Sequence, residues 1–161
     1  MNTRKLIEYI NSGGLDSVFS GLYGKSAVMS QRERYSGAVK EYERLYEEAD
    51  VTLFSVPGRS EISGNHTDHN GGKVIAASID LDIIAVASPT DDGVVKLKSR
   101  GFDEDTVVLS ERMAAKEIKY SAASLIAGVC DGFIKRGLRA SGFRAYTTSN
   151  VFKGSGLSSS A

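Results

Sequence analysis

Pro57-Gly58-Arg59-Ser60-Glu61-Ile62-Ser63-Gly64-Asn65-His66-Thr67-Asp68-His69-Asn70-Gly71-Gly72 stands between two runs of strand character. Residues 51–56 form a short apolar run, which Pro57-Gly58 is expected to end. Residues 73–87 are rich in Val, Ile and Ala. Within them Ile79-Asp80-Leu81-Asp82-Ile83 alternates with a period of two, as a strand with one wet face does. The segment between these runs gathers both histidines of the chain, Arg59, the acids Glu61 and Asp68, and the amides Asn65 and Asn70. Forked donors and acceptors at this density suit a polyhydroxylated ligand, because each hydroxyl needs both a donor and an acceptor. A metal site built from His66, Asp68 and His69 is a weaker reading, since His-x-Asp-His matches no standard zinc spacing and no cysteine assists. A purely structural turn rich in Gly and Asn is the remaining alternative.

The rest of the chain alternates helical and strand signals around this segment. Residues 3–11 read as a helix with Leu6, Ile7 and Ile10 on one face, stopped by Gly13-Gly14. Ser30-Gln31-Arg32-Glu33 has the form of a capping box, so a second helix is expected to begin at Ser30. Its stripe of Tyr35, Val39, Tyr42, Leu45 and Tyr46 has the spacing of a core face. Turn residues at 89–93 followed by alternation over 94–98 predict a hairpin. Residues 111–136 predict a long helix with Leu125, Val129 and Phe133 beside Ile126, Cys130 and Ile134 on its apolar face, capped by Gly137. Residues 143–148 predict one more strand.

Composition bounds the function. At 161 residues the length is that of about one domain, and 41% hydrophobic with 25% charged residues is the balance of a globular protein. Twenty basic residues meet twenty acidic ones, which argues against a general nucleic-acid binder. The charge is uneven, however, and the last third is basic, a local preference that would suit an anionic ligand such as a nucleotide. Cys130 is the one cysteine, so neither an internal disulfide nor a cysteine zinc site is expected. The sequence begins without an apolar signal-type stretch and has no long apolar run. A cytoplasmic protein with no membrane association is the expectation.

The chain closes on Gly154-Ser155-Gly156-Leu157-Ser158-Ser159-Ser160-Ala161. Glycines allow close backbone approach, serines favour helix N-caps, and the N–H groups of a helix start bind phosphate. The Gly-Lys-Ser/Thr ending of a Walker loop is missing, which disfavours an ordinary P-loop enzyme. The segment has the look of a loop about to begin a helix, and the sequence is therefore expected to be truncated.

Taken together, the two segments resemble a known family. Pro57-Gly58-Arg59 running into Gly64-Asn65-His66-Thr67-Asp68-His69-Asn70-Gly71-Gly72 is similar to the galactokinase signature, usually GRxNxIGEHTDYNGG. The terminal GSGLSSSA resembles the second motif of the wider GHMP small-molecule kinase superfamily. The likeness covers residues 50–161 well and 1–49 loosely. It implies an α+β fold, a mixed or antiparallel sheet packed by helices on one side, like the ribosomal protein S5 domain 2-like N-terminal domain of those kinases. It implies that 1–161 is the N-terminal part of such a protein, with a sugar-binding motif at 57–72, a phosphate-loop motif at 154–161 and no C-terminal domain.

The resemblance also implies roles. Arg59 would lie beside the transferring phosphoryl group, and Asn65, His66 and Asp68 would hydrogen-bond the sugar. Gly154, Ser155, Gly156, Leu157, Ser158, Ser159 and Ser160 would wrap the phosphates of ATP, with Ser159 as a ligand of Mg²⁺. The implied activity is ATP-dependent phosphorylation of the anomeric hydroxyl of galactose or a close sugar. In the family the catalytic aspartate, the acidic Mg²⁺ ligand and a third motif follow the second motif, so the 161 residues alone are expected to be inactive. The implied partners are a sugar and ATP, and no oligomeric state follows.

Three departures stand out: Asn65 replaces Glu, His69 replaces Tyr, and Phe152-Lys153 replaces a Pro-hydrophobic pair. They leave open a second class of function, a sugar- and ATP-binding sensor of galactokinase type that does not turn over.

Overall fold

Helix α1, Thr3–Asn11, starts because the Asn2 side chain accepts a hydrogen bond from the Arg4 N–H at 3.1 Å. It buries Leu6 and Ile10, as the spacing predicts. The computed structural model of the protein describes residues 1–64, 71–109 and 121–151. Helix α2, Asp16–Tyr23, was not foreseen: it is short, and only its Phe19 is buried, so its apolar pattern is faint. Helix α3, Val28–Tyr46, begins two residues ahead of the expected Ser30. The Ser30 hydroxyl donates back to the Ala27 carbonyl at 2.8 Å, inside a helix already under way, so the expected capping box does not form. Its aromatic stripe is core, with Tyr35, Val39, Tyr42 and Tyr46 all buried.

Five strands make one mixed sheet: β1 (Thr52–Ser63), β2 (Ile75–Thr90), β3 (Val94–Ser99), β4 (Glu104–Val108) and β5 (Gly142–Ser149). Their order is β1-β2-β5-β3-β4, antiparallel throughout except for the parallel pair β3/β5. Strand β1 runs on past Pro57-Gly58, where the sequence predicts its end. It is an edge strand, and there a residue without an N–H costs no ladder bond. The expected hairpin between residues 73–87 and 94–98 is not formed, because β5 lies between β2 and β3. The hairpin is instead β3 with β4, a strand whose acidic start, Glu104-Asp105, hid its character.

Helices pack on both faces of the sheet rather than one. On one face α1, α2 and α3 meet Ile84, Val86 and Tyr146. On the other, Val95, Val107 and Phe143 meet Ala123, Ile126 and Ala127 of α4 (Ala122–Lys135). Tyr146 and Phe143 are an odd number of residues apart on β5, which puts them on opposite faces. Ser121 caps α4 with a true box, and Gly137, at φ +74°, closes it in a Schellman turn: Gly137 N–H reaches Ile134 O and Leu138 N–H reaches Phe133 O. The part of the predicted long helix at 111–120 lies outside the described residues. Within α4 the packed face is Ala123, Ile126 and Ala127, while Leu125, Val129 and Phe133 point outward.

Candidate functional site

Strand β1 carries the first motif out of the sheet. Its pairing with β2 shifts between Pro57↔Asp82 and Arg59↔Ser78, so Gly58 stands alone opposite residues 79–81. Gly58 is buried, and a methyl group there would meet Ile79 Cδ1 at 3.2 Å and Val151 Cγ2 at 3.2 Å. A side chain would push those neighbours away, which is the local reason for glycine. Arg59 follows directly. Its side chain is 55% exposed, and among the described residues it forms a long ion pair, 3.5 Å, with Glu61 two residues on along β1. Among the described residues this leaves most of its donors without a side-chain partner, as a group that meets an anion requires.

The motif then turns away at Gly64, whose φ of +87° is a left-handed value. A Cβ there would fall 2.3 Å from the Lys73 carbonyl oxygen, so the two arms of the β1–β2 connection approach as closely as glycine allows. Gly71, also left-handed at φ +73°, leads back toward β2. Asn65, His66 and Asp68 lie outside the described residues, as do Gly154 to Ser160 and the proposed metal ligand Ser159.

What the structure does bring together is the start of the first motif and the stretch that precedes the second. Val151, which follows β5 and precedes the second motif, is buried against Gly58 of the first. Ser149 holds that corner, accepting from Val151 N–H at 3.0 Å. The sequence shows the two motifs but not the buried acid that lies close to Pro57 and Asn150. Asp82 on β2 is only 2% exposed. Tyr23 and Ser55 each donate to its Oδ2 at 2.5 Å, and Arg34 donates to Oδ1 at 2.6 Å. Burial, and then the bond to Asp82, push the Tyr23 phenol far above its ordinary value, so it acts as a fixed donor. The alternation of Ile79 to Ile83 marked Asp82 as facing water. Its partner Arg34 lies on α3, 48 residues away in the sequence, so no local signal pointed to the pair. Burial likewise pushes up the Cys130 thiol, which suits packing rather than nucleophilic chemistry.

Among the described residues no group of three His, Cys, Asp or Glu could hold a metal.

The fold is one shared with the GHMP small-molecule kinases. The Methanococcus jannaschii mevalonate kinase shares this fold, with a TM-score of 0.51 at 16% identity over 68% of this chain and 35% of that one. Within the class, the chain resembles the N-terminal portion of galactokinases. Residues 40–89 match the galactokinase galactose-binding signature. The galactokinase of Lactobacillus helveticus is 35% identical over 127 residues, 76% of this chain and 32% of that enzyme. That of Streptomyces coelicolor is 32% identical over 130 residues, 80% of this chain and 34% of the enzyme. The Lactococcus lactis galactokinase complexed with galactose superposes with a TM-score of 0.69 at 26% identity, covering 78% of this chain and 33% of the other. The chain thus spans about a third of the length of the curated relatives it matches.

Proposed function

We propose that the chain is the sugar-binding part of an ATP-dependent kinase that phosphorylates the anomeric hydroxyl of galactose or a closely related hexose. The observation that carries the reading is the galactose-binding signature over residues 40–89, which includes Arg59, Asn65, His66 and Asp68. The packing of Gly58 on Val151 supports it, because Val151 lies three residues ahead of the phosphate-loop motif in the sequence.

In this reading Asp68 accepts from a sugar hydroxyl, and His66 and Asn65 complete the set of donors and acceptors. Arg59, exposed and only loosely paired, offsets charge on the phosphoryl oxygens during transfer. The backbone N–H groups of Gly154, Ser155, Gly156, Leu157, Ser158, Ser159 and Ser160 hold the phosphates of ATP. Mg²⁺ fits the donor chemistry, since it is a hard ion that takes few protein oxygens beside phosphate and water, and the Ser159 hydroxyl is one such oxygen. When bound, Mg²⁺ neutralises phosphate charge.

Because the chain spans about a third of its relatives' length, the activity is proposed for the whole protein. The 161 residues by themselves are proposed to lack turnover, with the general base supplied from further along. A cytoplasmic site of action, where ATP is at hand, goes with the reading. Among the described residues no helix is long and apolar enough to cross a membrane.

Asn65 favours keeping the sensor reading as the alternative, because an amide replaces the family's carboxylate there. The test of the site is Asp68→Asn in the full-length protein. Losing a charged hydrogen bond costs about 1.5–3 kcal/mol, which should raise the KM for galactose roughly tenfold or more. Sugar kinetics unchanged by that substitution would remove the motif from the sugar site.

A further inference from the structure

Asp82 is a buried carboxylate outside both motifs, and three elements close on it. Arg34 of α3 donates through Nη1 to Oδ1 at 2.6 Å, and Tyr23 of α2 and Ser55 of β1 donate to Oδ2. Tyr35 and Tyr23 share a hydrogen bond at 2.7 Å behind them. The second guanidinium nitrogen of Arg34 donates to the Asp82 backbone carbonyl at 3.0 Å and, at 3.5 Å, to that of Thr148 on β5. Arg34 Nε is buried with no hydrogen-bond partner among the described residues. A buried pair with an orphaned donor is a poor route to stability, since desolvation offsets the attraction. It is a good way to fix geometry, because a planar fork must meet several acceptors at once.

The place of the pair says what geometry is fixed. The Asp82 carbonyl also accepts from the Asn150 N–H at 3.0 Å, just beyond the last β2/β5 rung, Ile83↔Ser149. On the other side Asp82 pairs with Pro57, one residue before Gly58. One residue is therefore paired with the start of the first motif and bonded to the chain just ahead of the second. We propose that Arg34 and Asp82 are positioning residues for phosphoryl transfer, setting Gly58-Arg59 against Asn150-Val151. This rests on the kinase reading above.

The test uses the full-length protein with Arg34→Met and Asp82→Leu combined, which leaves no unpaired buried charge. The expected variant melts within about 5 °C of the parent and binds galactose and ATP within about threefold of it, while kcat falls about tenfold or more. In the same variant the amides of Asn150 and Val151 exchange with solvent about tenfold faster, and those of α1 and α3 keep their rates. A folded variant with the parent's kcat and unchanged exchange at Asn150 overturns the proposal. So does protection lost evenly through α1 and α3, which would mark the pair as general support of the fold. Should the double variant fail to fold, Tyr23→Phe removes one donor while keeping the ion pair, and the same two readouts decide at smaller amplitude. A parent protein without sugar-dependent ADP release fails the kinase reading itself; the exchange at Asn150 and Val151 still shows whether Asp82 holds the two chain segments together.

Discussion

Gly58 and Val151 are in van der Waals contact across the sheet, close enough that a methyl group on Gly58 would stand 3.2 Å from Val151 Cγ2. Gly58 lies near the start of the first motif on β1, and Val151 is the last described residue before the Gly/Ser segment. Their contact couples two stretches of sequence that lie far apart in the chain. Gly58→Ala should therefore push Val151 and Ile79 by a few tenths of an ångström and cost about 1 kcal/mol. Urea unfolding measures the cost, and Gly58→Val should cost more. No change with either side chain would mean that this packing is slack.

Gly64 has less room to yield. Its left-handed backbone and the Lys73 carbonyl 2.3 Å from any Cβ combine strain with a clash against backbone. Gly64→Ala should destabilise by about 2 kcal/mol or more. In the active protein it should raise the KM for sugar more than that for ATP, because Gly64 leads directly into Asn65, His66 and Asp68. Equal shifts in both would contradict the assignment of this loop to the sugar.

The ion pair between Asp16 of α2 and Arg32 of α3 gives a pH signature. The hydrogen bond from Arg32 holds the Asp16 carboxyl below its ordinary value. A carboxyl lowered on folding contributes stability that is present above its unfolded value, about pH 4, and lost as pH falls through the folded value. The melting-temperature gap between the parent and Asp16→Asn should thus be present at pH 7 and close as pH falls toward 3. The pair is partly exposed, so 0.5 M salt should shrink the gap at pH 7. A gap that widens in acid would contradict the pairing.

In the proposed site Asn65 is expected to set substrate preference. An amide can donate to a sugar oxygen where a carboxylate only accepts. Asn65→Glu should change the ranking of kcat/KM among galactose and analogues altered at one hydroxyl. A flat ranking across that panel would show that Asn65 does not touch the sugar.

Much of this architecture was legible because local signals and tertiary packing agreed. Leu6 and Ile10 sat at helical spacing and are buried, and the aromatic stripe of α3 is core. Gly137 caps its helix as its position after the apolar run implied. The readings that failed did so where a partner distant in sequence decided. Pro57 looks like a stop until the strand is known to be an edge. The β2–β3 hairpin follows from local turn residues, but β5, some fifty residues later, takes the place between them. Asp82 fits a wet strand face in the sequence, and only the fold brings Arg34 and Tyr23 to it. The candidate site was visible in the sequence as motifs, since glycines and forked polar groups announce themselves, and its Asn65, His66 and Asp68 lie outside the described residues. The support beneath it was not, because a buried pair drawn from a helix and a strand leaves no pattern in either.

The central claim is phosphoryl transfer to a sugar, and product formation tests it most directly. The full-length protein is mixed with ATP, Mg²⁺ and galactose, ADP release is followed by a coupled assay, and the product is examined by ³¹P NMR. The account predicts galactose-dependent ADP release with one sugar 1-phosphate formed per ADP, abolished without sugar and strongly reduced in Arg59→Ala. Saturable binding of galactose and ATP with no ADP released would contradict it and favour a sensor.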